Sequence, residues 1–215
     1  AVLSAVEGVM QEAYTCEIQC REGLGDVCRI RLIPEPNYTL TVEMARLAKA
    51  EEVQSGDTCI QVDLGGGKVA VVLSDGMGTG ERAAMESRAT VGMLEKMMQA
   101  GFSRTFAVHT VNSVLLLRSA EEVFATLDLA VVDRFTGEVE FLKVGSSPTF
   151  IKRGREVEIV RSESLPIGIL SEIEPSENSR RLQRGDVLVM MTDGILDALP
   201  DQADKEEWIA RMLRR

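Results

Sequence analysis

Histidine and aromatic residues are scarce in this chain of 215 residues. It has one histidine, one tryptophan, two tyrosines and six phenylalanines. The single histidine, His109, lies among apolar residues of a predicted helix, which disfavours catalysis by a Ser-His pair. The few aromatic rings offer little platform for a sugar, so a glycosidase with paired carboxylates is also disfavoured. The core must therefore consist mainly of aliphatic side chains.

Positive charge and long apolar runs are lacking as well. The formal net charge is −10, and so acidic a surface repels nucleic acid and anionic membranes. We therefore expect no nucleic-acid partner, although an anionic substrate stays compatible if metal ions invert the local field. No stretch approaches the ~20 apolar residues that cross a bilayer, and no leader opens the sequence. These absences predict a cytoplasmic domain.

The four cysteines form no recognisable metal or disulfide pattern. Cys16, Cys20, Cys28 and Cys59 contain no C-x-x-C pair and have no neighbouring histidine. This spacing is not that of a zinc site, and disulfides are uncommon in chains without a secretory signal. We expect reduced cysteines that serve mostly in packing.

The order of predicted elements favours an α+β fold. We divide the chain into an N-terminal linker or helical segment, residues 1–37, and one main domain, residues 38–215. The strands of the second half are closely spaced, which indicates antiparallel neighbours because parallel crossovers need a dozen or more residues. The sequence predicts a helix over 1–13, strands at 38–44, 60–64 and 69–73, helices over 80–101 and 104–118, strands at 123–132, 138–144, 149–153, 157–160 and 187–191, and a helix over 205–215.

Two apolar strands end in the same kind of motif, a hydroxyl residue followed by aspartate and glycine. Asp75-Gly76 follows the strand at 69–73, and Asp193 follows the strand at 187–191. A carboxylate at the end of a buried strand costs free energy unless a cation faces it. Two carboxylates and a free glycine carbonyl are hard oxygen ligands, which Mg²⁺ and Mn²⁺ prefer. The alternative is that each Asp-Gly merely marks a turn or a helix N-cap.

Glycine-rich nucleotide loops do not fit the same region. The glycines between Gly76 and Gly80 would need another glycine at Glu81 to form a dinucleotide loop. A Walker loop fails because Gly67-Lys68 is followed by valine and not by serine or threonine.

Taken together, the aspartate motifs resemble those of the PP2C-type (PPM) metal-dependent protein phosphatases, and more narrowly the phosphatase domains of the SpoIIE sporulation family. The likeness extends from about residue 38 to residue 199. It implies an antiparallel β-sandwich flanked by helices. The motifs that carry it are Ser55-Gly56-Asp57, the segment 74–80 and Thr192-Asp193-Gly194, with support from 126–129, 141–148 and 165–169.

The resemblance also implies a metal centre. Asp75 would bridge two Mn²⁺ or Mg²⁺ ions, the Gly76 carbonyl would bind one of them, and Asp193 would bind the other. Asp57 would act near the metals through water. Metal-bound hydroxide would attack the phosphorus of a phosphoserine in line, without a covalent intermediate.

Two features of the wider family have no counterpart in this sequence. The histidine that protonates the leaving group in eukaryotic relatives is not present at that motif. The family also has a further metal-binding aspartate in a later Asp-x-Thr strand, and Asp197, Asp201 and Asp204 lie too close to Asp193 to take that place. We therefore expect a domain whose C-terminal part is missing and which holds at least one metal weakly.

The resemblance implies a function in sporulation signalling. We expect a protein-serine phosphatase whose substrate is a phosphoserine protein, an anti-sigma-factor antagonist. A homodimer is left open, and the parent protein would be anchored in a membrane by a segment outside this sequence. The alternative is a catalytically weak or inactive regulatory module that binds protein partners.

Overall fold

Blocks of strands alternate with one or two helices along the chain. The computed structural model describes residues 2–11, 13–21, 27–47, 55–78, 80–118, 124–199 and 204–215. The elements are α1 (Val2–Met10), β1 (Tyr14–Arg21), β2 (Val27–Pro34), β3 (Asp57–Gly65), β4 (Lys68–Asp75), α2 (Gly80–Gln99), α3 (Arg104–Arg118), β5 (Leu127–Asp133), β6 (Glu138–Val144), β7 (Thr149–Arg153), β8 (Glu156–Val160), β9 (Ser176–Arg181), β10 (Val187–Val189), α4 (Asp193–Asp197) and α5 (Lys205–Leu213).

The described strands form three antiparallel sheets. Five strands lie in the order β3-β4-β5-β6-β9, three in the order β10-β7-β8, and β1 pairs with β2 in a separate hairpin. This arrangement of antiparallel sheets with helices confirms the predicted α+β class.

The two larger sheets pack face to face, with helices outside them. One face of the five-stranded sheet packs against α2 and α3, and the opposite face packs against the three-stranded sheet. The outer face of the three-stranded sheet is covered by α5 through Ile209 and Ala210. The predicted β-sandwich flanked by helices is therefore present.

Alternation along β5 explains these layers. Leu129 and Val131 pack on the helices, whereas Ala130 and Val132 pack on the second sheet. Because successive side chains of a strand point to opposite faces, a strand buried on both sides must be apolar at consecutive positions. Every residue from Leu127 to Val132 is buried.

Antiparallel pairing gives the five-stranded sheet two ends of different character. At one end, here called the Asp75 end, β4 finishes, β5 begins and β6 finishes. At the opposite end, the Gly67 end, β4 begins, β5 finishes at Asp133 and β6 begins. The Asp75 end carries the predicted site, and the Gly67 end carries tight turns.

Most predicted elements are confirmed, with differences at four places. The short helix α4 (Asp193–Asp197) was not predicted. Residues 38–47 form no strand: Leu40 packs into the core between the sheets, so its alternation reflects packing without strand pairing. The strand β9 was not predicted because this polar strand at the sheet edge carries little hydrophobic signal. The hairpin β1–β2 was not predicted either.

The N-terminal segment therefore contains a helix and a hairpin, and the domain boundary after residue 37 stays a prediction. Residues 48–54, 119–123 and 200–203 lie outside the described residues. The strand predicted at 123–132 begins only at Leu127, and Ala125 before it forms isolated bridges. None of the described helices combines the length and the apolar character needed to cross a membrane. Cys16 and Cys59 are free thiols.

Candidate metal centre

Asp57 and Asp75 lie opposite each other at the Asp75 end of the sheet. Asp57 is the first residue of β3 and Asp75 the last of β4, and the ladder pairs the two residues directly. The backbone N–H of Asp75 donates to Thr126 Oγ1 at 3.0 Å, and the N–H of Thr126 donates to the Asp75 carbonyl at 2.9 Å. The end of β4 is thereby fixed to the start of β5.

Asp193 reaches the same place from a distant part of the chain. It begins the short helix α4, just after β10. The preceding Thr192 donates its hydroxyl to Asp57 Oδ2 at 3.1 Å. The Asp75 carboxyl is within hydrogen-bonding reach of both Asp57 and Asp193. The structure thus brings together all three predicted aspartates.

The charge of this cluster is poorly balanced. Burial, together with the neighbouring charges and hydrogen bonds of Asp57 and Asp193, raises the pKa of Asp75 to about 8. No described lysine or arginine contributes to that shift. A divalent cation would offset the repulsion, since it is the largest local charge in such a site and inverts the effect of neighbouring carboxylates.

A small polar cavity adjoins the aspartates. It has a volume of about 40 Å³, and its lining includes Asp75, Asp193, Thr192, Asp128 and Ser146. Among the described residues, the lining includes no lysine or arginine. Asp57 and Gly76 lie beside the lining without being part of it.

Gly76 is required by the approach of α2. A Cβ built on Gly76 would lie 2.1 Å from the carbonyl oxygen of Ala83, far inside van der Waals contact. Gly76 also forms an isolated antiparallel bridge with Ala125. The prediction that its carbonyl binds a metal stays a prediction, and the structure adds a packing reason for glycine at this position.

A buried ion pair next to the cavity was not predicted from the sequence. Lys143 Nζ lies 2.6 Å from Asp128 Oδ2, and the two side chains are 0% and 1% exposed. Thr149 Oγ1 accepts from Lys143 at 2.9 Å and donates to Asp128 Oδ2 at 2.6 Å. Burial raises the pKa of Asp128 and lowers that of Lys143, while the partner's charge opposes each shift. The available signal was a pair of opposite charges inside two apolar strands.

The oxygen-rich site fits a hard divalent ion, although it is not a preformed cage. Across the described ranges, no group of three or more His, Cys, Asp or Glu side chains has the spacing of a metal site. Asp57 and Asp193 instead both lie close enough to Asp75 to raise the pKa of its carboxyl group. Two of the lining residues, Asp128 and Ser146, each carry a buried oxygen, Oδ1 and Oγ, that has no hydrogen-bond partner among the described residues. Carboxylate and hydroxyl oxygens of this kind suit Mg²⁺ or Mn²⁺.

Comparison with known proteins decides the family. The family model described as stage II sporulation protein E (SpoIIE) matches residues 65–215. The chain belongs to the SpoIIE family. It is 40% identical over 178 residues to the stage II sporulation protein E of Bacillus subtilis (strain 168), a match that covers 83% of this chain and 22% of the relative. It is 36% identical over 195 residues to that of Priestia megaterium, covering 91% and 33%.

Solved structures of SpoIIE and of RsbX share the fold. The structure of the PP2C phosphatase domain of Bacillus subtilis SpoIIE, with a fragment of its regulatory domain, has a TM-score of 0.82 and 33% identity, and covers 99% of this chain and 63% of that one. RsbX in complex with magnesium has a TM-score of 0.59 at 15% identity, covering 92% and 91%, which shows the fold alone. The predicted PP2C-type family and fold are confirmed. The chain spans between about a fifth and a third of the length of its curated SpoIIE relatives.

Proposed function

We propose that this chain is a metal-dependent protein-serine phosphatase domain. The observation that carries the proposal is the convergence of Asp57, Asp75 and Asp193, from three separate segments, beside one small polar cavity. Membership of the SpoIIE family and the likeness to its PP2C phosphatase domain support the same function.

The residues that would hold the metals are those predicted from the sequence. Asp75 would contact both of two ions, Asp193 and the Gly76 carbonyl would each contact one, and Asp57 would act through water. Mn²⁺ or Mg²⁺ bound there would lower the pKa of a bound water and offset the charge of a phosphate group. The magnesium in the RsbX complex supports a divalent ion in this fold.

The protein's own contribution is to place oxygen ligands rigidly. Thr126 holds the end of β4 through both backbone groups of Asp75. Thr192 connects the segment before α4 to Asp57. With the ligands fixed in this way, a phosphoserine ester can be hydrolysed by water without a covalent bond to the protein.

The proposed substrate is a phosphorylated anti-sigma-factor antagonist in sporulation signalling. Its support is the membership of a sporulation family together with the acidic surface, which suits a protein partner better than nucleic acid. We further propose a cytoplasmic location, in a parent protein that is anchored in a membrane and able to form a homodimer.

The proposal is tested by phosphate release from a phosphoserine protein while Mn²⁺ is titrated. We expect activity that rises with Mn²⁺ and falls in Asp75→Asn by more than about 100-fold, beyond the effect typical of residues behind the metal ligands. Asp63→Asn is the matched control, since Asp63 lies on β3 too but caps the turn at Gly65, with Oδ1 2.8 Å from the Gly65 N–H. Equal activity in Asp75→Asn and wild type would contradict a role for the metal centre.

The second candidate is a catalytically weak or inactive regulatory module that binds protein partners. It is favoured by the lack, within the described ranges, of a preformed set of three metal ligands. Saturable binding of the phosphoprotein without Mn²⁺-dependent phosphate release would support this module over the enzyme.

A further inference from the structure

In the buried ion pair beside the cavity, only one of the two carboxylate oxygens of Asp128 is hydrogen-bonded to described residues. Lys143 and Thr149 both act on Asp128 Oδ2, at 2.6 Å each. Asp128 Oδ1 is buried and has no hydrogen-bond partner within the part of the chain that the structure describes. Leaving a buried carboxylate oxygen unpaired is costly, so native structures pair such atoms with protein groups or ordered water.

A structural ion pair elsewhere in the same protein shows the contrast. Asp186 binds Arg153 through both carboxylate oxygens: Arg153 Nε donates to Oδ1 at 3.0 Å, and Nη2 donates to Oδ2 at 2.7 Å. The backbone N–H of Gln183 also donates to Oδ2 at 2.8 Å. An ion pair that only stabilises the fold is expected to use both carboxylate oxygens, as Asp186 does. Asp128 uses only one of its two oxygens.

Asp128, the residue that carries the unpaired oxygen, lines the same cavity as Asp75 and Asp193. Asp128 and Ser146 both contribute to the lining, together with Asp75 and Asp193. Ser146 Oγ is likewise buried, and no described residue forms a hydrogen bond with it. A polar cavity of about 40 Å³ has room for ordered water, which needs only ~10–15 Å³ per molecule when measured with a water-sized probe.

We propose that Asp128 is a positioning residue of the metal centre, whose Oδ1 accepts hydrogen bonds from the water shell of the ion at Asp75 and Asp193, with Ser146 Oγ as a second partner of that water. Lys143 and Thr149 hold the carboxyl in place from the side away from the unpaired oxygen. Mg²⁺ and similar ions keep several waters, and protein groups behind the ligands orient such shells. This inference rests on the metal site of the proposed function.

The test is the Mn²⁺ affinity of the folded protein, measured by the electron paramagnetic resonance signal of free Mn²⁺. In Asp128→Asn, the amide oxygen must face Lys143, so an N–H donor replaces the acceptor at Oδ1. We expect Mn²⁺ affinity to fall about 10- to 100-fold, as for other residues behind metal ligands. Ser146→Ala, which leaves the ion pair intact, should lower the affinity by a smaller factor. Asp186→Asn is the matched control, and its Mn²⁺ affinity should equal that of the wild type.

Folding is checked for each variant by circular dichroism. If Asp128→Asn does not fold, the paired replacement Asp128→Leu with Lys143→Met removes both charges, and this variant and Ser146→Ala decide the question. Wild-type affinity in every folded variant of Asp128 and Ser146 would overturn the proposal while leaving the metal site in place. If the wild type itself shows no Mn²⁺ binding that Asp75→Asn removes, both this proposal and the proposed function fail.

Discussion

The acidic side chains at the two ends of the five-stranded sheet have opposite surroundings. At the Gly67 end, Asp133 Oδ1 accepts from the backbone N–H groups of Phe135 and Thr136, at 2.8 and 3.2 Å. At the Asp75 end, Asp57 and Asp75 face each other directly. Burial, together with the neighbouring Asp57 and Asp193, raises the pKa of Asp75. At the Gly67 end the carboxylate of Asp133 is paired with backbone donors, whereas at the Asp75 end carboxylates are brought together.

This difference separates stability from function within one sheet. Turns that only reverse the chain gain from saturated hydrogen bonds, because nothing else binds there. A cluster of carboxylates lowers the stability of the metal-free protein. Binding of a cation restores that stability, since a ligand that binds only the folded state stabilises it. The Asp75 end therefore fits a ligand site better than a structural corner.

We expect the largest effect from the pH dependence of the metal-free protein. The folded-state pKa of Asp75 is raised from 3.8 to about 8, so the folded state retains a proton that the unfolded state has released. Stability should therefore fall as pH rises between about 4 and 8. Asp75→Asn should flatten this slope in thermal unfolding, and Mn²⁺ should stabilise only the wild type. An unchanged slope in the variant would remove the charge argument for the Asp75 end.

The second prediction concerns the buried pair Lys143 and Asp128. Lys143→Met leaves Asp128 buried without its cation, which should cost about 3–5 kcal/mol in the free energy of unfolding. Replacing both charges, with Asp128→Leu and Lys143→Met, should recover most of that loss because apolar pairs often substitute well for buried ion pairs. Urea unfolding measures both variants. If Lys143→Met were as stable as the wild type, the ion pair would be exposed to solvent and not buried as the structure shows it.

Elements with regular apolar periodicity could be predicted from the sequence, and so could the aspartates that end them. α2, α3 and the strands β3 to β8 are governed by burial on defined faces, which the sequence displays directly. Asp75 and Asp193 were found because each follows an apolar strand. The pattern could not give their distance, which depends on how the two sheets pack.

The parts that could not be predicted depend on partners far away in the chain. β9 is polar and is held by its ladder with β6, so its own residues carry little signal. Asp128 and Lys143 are register partners on β5 and β6. Each alone looks like an interruption of an apolar strand, and only the register shows that the two charges neutralise each other.

The third prediction compares two glycines near α2. Gly76→Ala places a Cβ 2.1 Å from the Ala83 carbonyl, and such overpacking should destabilise the protein by about 1–3 kcal/mol. Gly92→Ala, inside α2 with nothing within 4 Å of its Cβ, should stabilise by about 0.5–1 kcal/mol because alanine is the better helix former. Thermal unfolding measures the change in stability for both variants and therefore its sign. Equal effects of the two substitutions would show that α2 does not approach Gly76 as closely as described.

We expect the smallest effect on stability at Asp186, whose two carboxylate oxygens are already hydrogen-bonded. Arg153 lowers the pKa of Asp186, so its stabilisation is present above the ordinary carboxyl pKa and is lost as pH falls through the lowered value. Asp186→Asn should cost only about 1 kcal/mol near neutral pH, because solvent screens the partly exposed Arg153. The variant and the wild type should converge in stability in acid, as followed by urea unfolding at several pH values. A difference that grows in acid would reverse the assignment of Asp186 as a structural pair, and the contrast with the Asp75 end would then fail.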